Sequence, residues 1–174
     1  IKGTVSPVNG MGDLIETLRR TLIERGATFH FGQEKVIESK DVGAALYVVA
    51  TSATAAATVL EKVAPEASRI YSAAEILPLV TTTVFYPRET AKVRGLGCLF
   101  PQNQGFRVLG VLMNPFIFSN RSQLASETWI FGGGRDGAAF KLTDEEIIQK
   151  ISEERVRLHK GNVLEKPLKY NIQR

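Results

Sequence analysis

With 174 residues, 44% of them hydrophobic, the chain is long enough to bury a sizeable core, which excludes intrinsic disorder. Its 22 Lys and Arg against 18 Asp and Glu leave a net charge of +4. The charges are scattered without long like-charged runs, as on a solvated surface rather than on a face built for nucleic acid or anionic lipid.

The single cysteine, Cys98, rules out an intrachain disulfide and reads as a small side chain inside an apolar run. Apolar stretches fall short of the roughly 20 residues of a membrane span, and the N-terminus lacks the order of a signal peptide. A soluble, cytoplasmic chain is expected, with membrane association of a parent protein left open.

After a short strand around Thr4 and Val5, the segment "NGMGDLIETLRRTLIERG" places Leu14, Ile15, Leu18, Leu22 and Ile23 on one helical face. Asp13 and Glu16 fall in its first turn and Arg25 in its last, and Gly26 supplies a left-handed stop, so a helix over 11–25 is predicted. "ATFHF" and "KVIES" read as short strands and "AALYVVATS" as a buried one. Ser52 then caps a helix, "TAAATVLEKVA", which ends at Pro65. "EASRIYSAAEIL" reads as a further helix, closed by Pro78.

Beyond Pro78 the pattern turns to antiparallel strands. "LVTTTVFY" alternates, "LGCLFPQNQGFRVLGVL" (96–112) reads as a hairpin, and "SETWIFGGG" adds another strand. "TDEEIIQKISEERVRLHKG" carries a capping box, Thr143 with Glu146, and an apolar stripe of Ile147, Ile148, Ile151 and Leu158, stopping at Gly161. A last strand alternates Leu168, Tyr170 and Ile172, with Pro167 at its start. The fold class expected is α+β, part of an α/β layer followed by an antiparallel sheet covered by helices, divided as 1–78 and 79–174.

His30 and His159 stand far apart without ligands at metal spacing, and His159 is read as a partner of a helix dipole. No G-x-S-x-G nucleophile elbow is present. "FGGGRDG" (131–137) has glycines enough for a phosphate loop, but no helix opens at it and no Gly-Lys-Ser/Thr follows; a glycine-rich turn is the simpler reading. Gly10 and Gly12 flank a helix start, where an anion or a second backbone could approach.

The order of "NGMGDLIETLRRTLIERGATFHFGQEKV", "AALYVVATSATAAATVL", "GCLFPQNQGFRVLGVLMNPFIFSNR" and "ETWIFGGG" resembles the middle of the flavin-dependent amine oxidase superfamily. The third block, with "LFP", "LG-x-L" and Phe118-x-x-Arg121, resembles its porphyrinogen-oxidase branch. "NGMG" stands where that family has "GGM", and "FSNRS" where it has Phe-Pro-x-Arg-Ala-Pro.

The resemblance implies an internal piece of an FAD-dependent oxidoreductase, without the N-terminal G-x-G-x-x-G unit and the closing FAD segment. Residues 1–78 would be a segment of the FAD-binding domain, with Val36 and Gly10 toward the cofactor. Residues 79–174 would be part of the substrate domain, with Leu99, Leu112 and Ile130 lining a pocket for a flat, apolar, cyclic small molecule; the alternative for each is ordinary sheet core. Hydride would pass from substrate to flavin, so no catalytic acid or base is required of this chain. The chain alone is not expected to hold FAD or turn over, its partners being the remaining FAD-binding segments and the substrate, not nucleic acid.

Two alternatives stay open: an amine oxidase or desaturase of the same superfamily, and a non-enzymatic α+β ligand-binding module. The hairpin carries its own condition. A four-residue loop, 102–105, pairs Leu99 with Val108 and brings Leu99 and Leu112 to one face; a three- or five-residue loop separates them.

Overall fold

The computed structural model describes residues 5–34, 46–91, 93–118, 121–160 and 166–174, in two units, Ile1–Glu75 and Ile76–Arg174. In the first unit the helical stripe forms α1, Met11–Glu24, opened by Gly10 at φ 95° and stopped after Arg25 by Gly26 at φ 90°. None of its residues is buried. Helix α2, Ala53–Leu60, is capped by Ser52, whose hydroxyl accepts from the Ala55 N–H. Helix α3, Pro65–Ser72, begins on its proline, where a missing N–H costs nothing. The two pack together, burying Ala56 and Ala57, and the Ser68 hydroxyl donates to the Ala57 carbonyl at 2.8 Å.

Two sequence expectations change here. The third helix stops at Ser72 instead of running toward Leu77; Pro78 forces extended geometry on the residue before it, so the chain leaves the helix ahead of that point. The segments 27–31 and 46–50 carry no strand pairing among the described residues. A strand exists through its neighbour's hydrogen bonds, and apolar content alone does not supply one. "KVIES" lies outside the described residues, as do Thr4 and Gly161.

The second unit is an antiparallel sheet of five strands in the order β2-β3-β4-β1-β5. These are β1 (Leu79–Tyr86), β2 (Gly97–Leu99), β3 (Gly110–Met113), β4 (Ala125–Gly132) and β5 (Lys169–Gln173). A single helical turn, α4 (Asn114–Ile117), follows β3, and α5 (Asp144–Leu158) precedes β5. The fold class is α+β, as the sequence indicates.

Alternation in β1 divides the sheet into two faces. Val80, Thr82, Val84 and Tyr86 are buried, and join Trp129 and Phe131 of β4, Val111 and Met113 of β3, and Ile147 and Ile151 of α5 in the core. The capping box of α5 is present as expected, Thr143 and Glu146 each accepting from the other's backbone N–H. Where α5 crosses the sheet it carries Arg155 inward. The Arg155 Nε donates to both carboxylate oxygens of Glu127, at 3.1 and 3.0 Å, and the Trp129 indole donates to Glu127 Oε2 at 3.1 Å. The guanidinium lies 3.6 Å from the Tyr86 ring centroid, and burial lifts the Tyr86 phenol above its ordinary pKa.

Candidate functional site

The opposite face of the sheet is where the residues expected to line a substrate pocket, Leu99, Leu112 and Ile130, fall. Side chains of directly paired residues share a face, and so do residues two apart on one strand. The pairings Leu99↔Gly110, Gly110↔Ile130 and Ile130↔Thr81 therefore set Leu99, Ile130 and Thr81 in one row. Gly97↔Leu112, Leu112↔Thr128 and Thr128↔Thr83 make the next row. Leu99, Leu112 and Ile130 thus share a face, and it is not the face filled by α5. Leu99 is 83% exposed and Leu112 43%, so neither leucine is sheet core within this unit.

The register differs from the one expected. Leu99 pairs with Gly110 rather than Val108, a shift of two residues, and an even shift returns every side chain to the same face. The ladder closes at Phe100, whose N–H donates to the Leu109 carbonyl at 3.0 Å. Beyond it Gln102–Gln104 form a turn of 3-10 helix, and side chains take over the backbone groups. Arg135 donates to the carbonyls of Phe100 (2.7 Å) and Val108 (3.0 Å). Arg157 donates to those of Gln104 (3.0 Å) and Gly105 (2.6 Å), and Glu154 accepts from the Arg107 N–H at 2.7 Å. With these partners the loop has no need of further strand pairing.

A close approach fixes where Leu99 lies. A methyl group added at Gly110 would sit 2.9 Å from Leu99 Cδ2 and 2.7 Å from the Cys98 carbonyl oxygen. The bare backbone of Gly110 is what lets Leu99 lie down toward Ile130.

Beside the apolar residues runs a polar band that sequence reading passed over. The Thr83 and Thr128 hydroxyls are 3.0 Å apart, and Asn114 Nδ2 donates to Thr128 Oγ1 at 3.0 Å and to Ser126 Oγ at 3.2 Å. The signal was present in "LVTTTVFY", whose threonines fall on both faces, but alternation does not say which face stays open. The surface can accept a flat apolar body and offer it hydroxyl groups along one side. No titratable group lies in these two rows, and the nearest thiol, Cys98, is raised in pKa by burial.

The glycine-rich turn is structural. Gly132, at φ 96°, would place a methyl group 2.5 Å from the Pro78 carbonyl oxygen, and its arginine, Arg135, is committed to the hairpin carbonyls. Asp136, the next residue, forms an ion pair with Arg107, and that hydrogen-bonded guanidinium holds its carboxyl below the ordinary range. Of the two residues assigned to a cofactor, Gly10 sits at the start of α1 with open space around it and no side-chain cap, and Val36 lies outside the described residues. His159 is buried at the C-cap of α5, its N–H on the Arg155 carbonyl at 3.0 Å. Among the described residues no cluster of three or more His, Cys, Asp or Glu is placed to hold a metal ion, and no helix is long and apolar enough to cross a membrane.

No family model matches the chain, and no curated protein matches its sequence. Its fold is similar to solved structures. One is described as "Putative protoporphyrinogen oxidase from Exiguobacterium sp. 255-15", with a TM-score of 0.53 and 13% identity over 60% of this chain and 23% of that one. Another is cyclohexylamine oxidase from Brevibacterium oxydans IH-35A, with a TM-score of 0.54 and 14% identity over 72% of this chain and 27% of that one. At such identities the likeness is one of fold, and the chain spans about a quarter of the length of either structure.

Proposed function

We propose that the chain is part of an FAD-dependent oxidoreductase of the amine-oxidase type, in which the open sheet face of the second unit receives a flat, apolar, cyclic substrate. The observation that carries this reading is that Leu99, Leu112 and Ile130 lie on one face while α5 fills the other. The fold likeness to two oxidases supports it.

In this reading the first unit is a segment of the FAD-binding domain. Gly10, at an uncapped helix start, leaves first-turn N–H groups for a polar group of the cofactor. Bound there, the flavin supplies hydride acceptance. The residues of this chain bind the substrate, orient its ring plane against the sheet through Leu99, Leu112 and Ile130, and keep water from the reacting face. The apolar stripe of α1, exposed in this unit, is to be covered by the remaining FAD-binding segments of the parent protein. The likeness to cyclohexylamine oxidase favours a second reading, a cyclic amine as substrate in place of a porphyrinogen.

The test is flavin-coupled oxidation by the flavin-loaded parent protein, assayed with protoporphyrinogen and with cyclohexylamine. Leu99→Ala and Leu112→Ala are each expected to lower kcat/KM roughly tenfold on the true substrate, the loss of one side chain's apolar contact. Leu168→Ala, at an exposed leucine beside β5, is expected to change nothing. Unaltered kcat/KM in both leucine variants would remove the open face from the substrate site, and turnover of neither compound would sink the assignment of substrates.

A further inference from the structure

The open face changes character across its width. Each of its two rows continues past β1 onto the edge strand β5, Thr81 pairing with Gln173 and Thr83 with Asn171. Leu99 and Leu112 thus stand toward one end of the rows and two exposed amide side chains at the other, with the threonines between them. A flat molecule lying across the strands meets leucines under one edge and polar groups under the opposite edge. Neither row holds a charged side chain, so what recognises a group there is hydrogen bonding rather than charge.

Where the two halves meet, the hydrogen bonds have a direction. Asn114, at the start of α4, uses both hydrogens of its Nδ2 on hydroxyl oxygens, those of Thr128 at 3.0 Å and Ser126 at 3.2 Å. The Thr128 oxygen, 3.0 Å from that of Thr83, therefore already has one lone pair filled. Two threonine hydroxyls carry two hydrogens, and the bond between them uses one. The other has no acceptor among the described residues, and both threonines are only half-buried. A site that offers a hydrogen bond to one substrate group rejects analogues lacking that group, because its polar atoms are then left unpaired.

We propose that the Thr83–Thr128 pair determines specificity: it donates to a neutral acceptor, a carbonyl oxygen or an unprotonated nitrogen, on the edge of a flat ring whose body lies on Leu99 and Leu112. Asn114 is a positioning residue, since its amide hydrogens keep the threonine hydrogens from turning inward. This inference rests on the reading of the open face as the substrate surface.

The experiment is an NMR titration of the 174-residue chain with flat bicyclic probes of similar size: indanone, which carries an acceptor, indane, which carries neither donor nor acceptor, and indole, which donates. Each probe is expected to move the amide signals of Gly110, Leu112 and Thr128 along saturable curves. Indanone is expected to bind about fivefold more tightly than the others, the worth of one hydrogen bond. The double variant Thr83→Val with Thr128→Val keeps the side-chain shapes and removes both hydroxyls; it is expected to abolish that preference and leave indane binding unchanged. Asn114→Asp puts a carboxylate, which only accepts, where an amide donated, so the threonine hydrogens turn to it and the preference is again expected to vanish. Leu99→Ala is expected to weaken all the probes alike. The buried Trp129 indole signal reports whether each variant keeps its fold. Equal affinities for the probes, with all of them weakened by Leu99→Ala, would overturn the specificity role and leave the open face as a binding surface. A preference for indanone that survives the double variant or Asn114→Asp would overturn it too. Shifts that never saturate with any probe would remove the open face from the substrate site, and this inference with it.

Discussion

Arg155 and Glu127 illustrate how far single residues commit this fold. Both are buried, the guanidinium is bonded through Nε to the carboxylate, and its flat face covers Tyr86. A buried ion pair contributes modest net stability, yet removing one partner strands the other's charge in a low-dielectric interior. Glu127→Gln is therefore expected to cost about 3–5 kcal/mol, read as a lower urea midpoint at unchanged slope. Replacing both residues by apolar ones of similar size is expected to recover most of that loss. A double variant no more stable than Glu127→Gln would show that stranded charge is not the cause. Sequence reading named the apolar stripe of this helix and its capping box, and not Arg155, because helical periodicity ranks faces by average polarity and one buried charge is lost in that average.

At the scale of elements, periodicity and punctuation read well where a local rule decides. The capping box at Thr143, the serine cap at Ser52 and the glycine stop at Gly26 each settle a helix end within a few residues of chain. Strand β1 emerged complete because its alternation is unbroken over eight residues. Pairing is a different matter, since it depends on partners distant in sequence. Segments 27–31 and 46–50 have strand composition and no partner among the described residues, and the hairpin register shifted because side chains as far off as Arg135 and Arg157 satisfied its loop. The turn at Gly132 offers a direct test. A methyl group there meets both a left-handed backbone and the Pro78 carbonyl, so Gly132→Ala is expected to destabilise the chain by about 2 kcal/mol or more. Gly137→Ala, with nothing within 4 Å, is expected to stay within about 0.5 kcal/mol of the parent chain. Equal denaturation midpoints for the two would contradict the constraint placed on Gly132.

Across the whole molecule the two units differ in how much they bury. The second has a continuous core around Trp129, Phe131 and Ile147, whereas among the described residues of the first only Ala56 and Ala57 are buried. Apolar burial is the main force opposing chain entropy, so protection should follow it. In native-state hydrogen exchange, amides of β1, β4 and α5 are expected to be the slowest, and those of α1 to exchange several orders of magnitude faster in the isolated chain. Slow exchange in α1 of the isolated chain would mean that its apolar stripe is already covered, and the proposal that further segments cover it would fall away.

The sequence by itself determined the presence of the main helices, the caps at Ser52 and Thr143, the stop at Gly26 and the alternation of β1. All of these follow from contacts within a few residues, whereas the parity that puts Leu99 and Leu112 on one face was left open by the sequence until the pairing fixed the register. Only the tertiary structure decided which face of the sheet α5 would fill, which threonines would stand beside the leucines, and that Asn114 would bond Thr128 and Ser126. Those outcomes depend on where distant segments pack, and that is set by the burial of the whole core rather than by any local rule. The three residues that resemblance pointed to, Leu99, Leu112 and Ile130, were legible as a set, but that they stand on the uncovered side required α5 to be seen on the other.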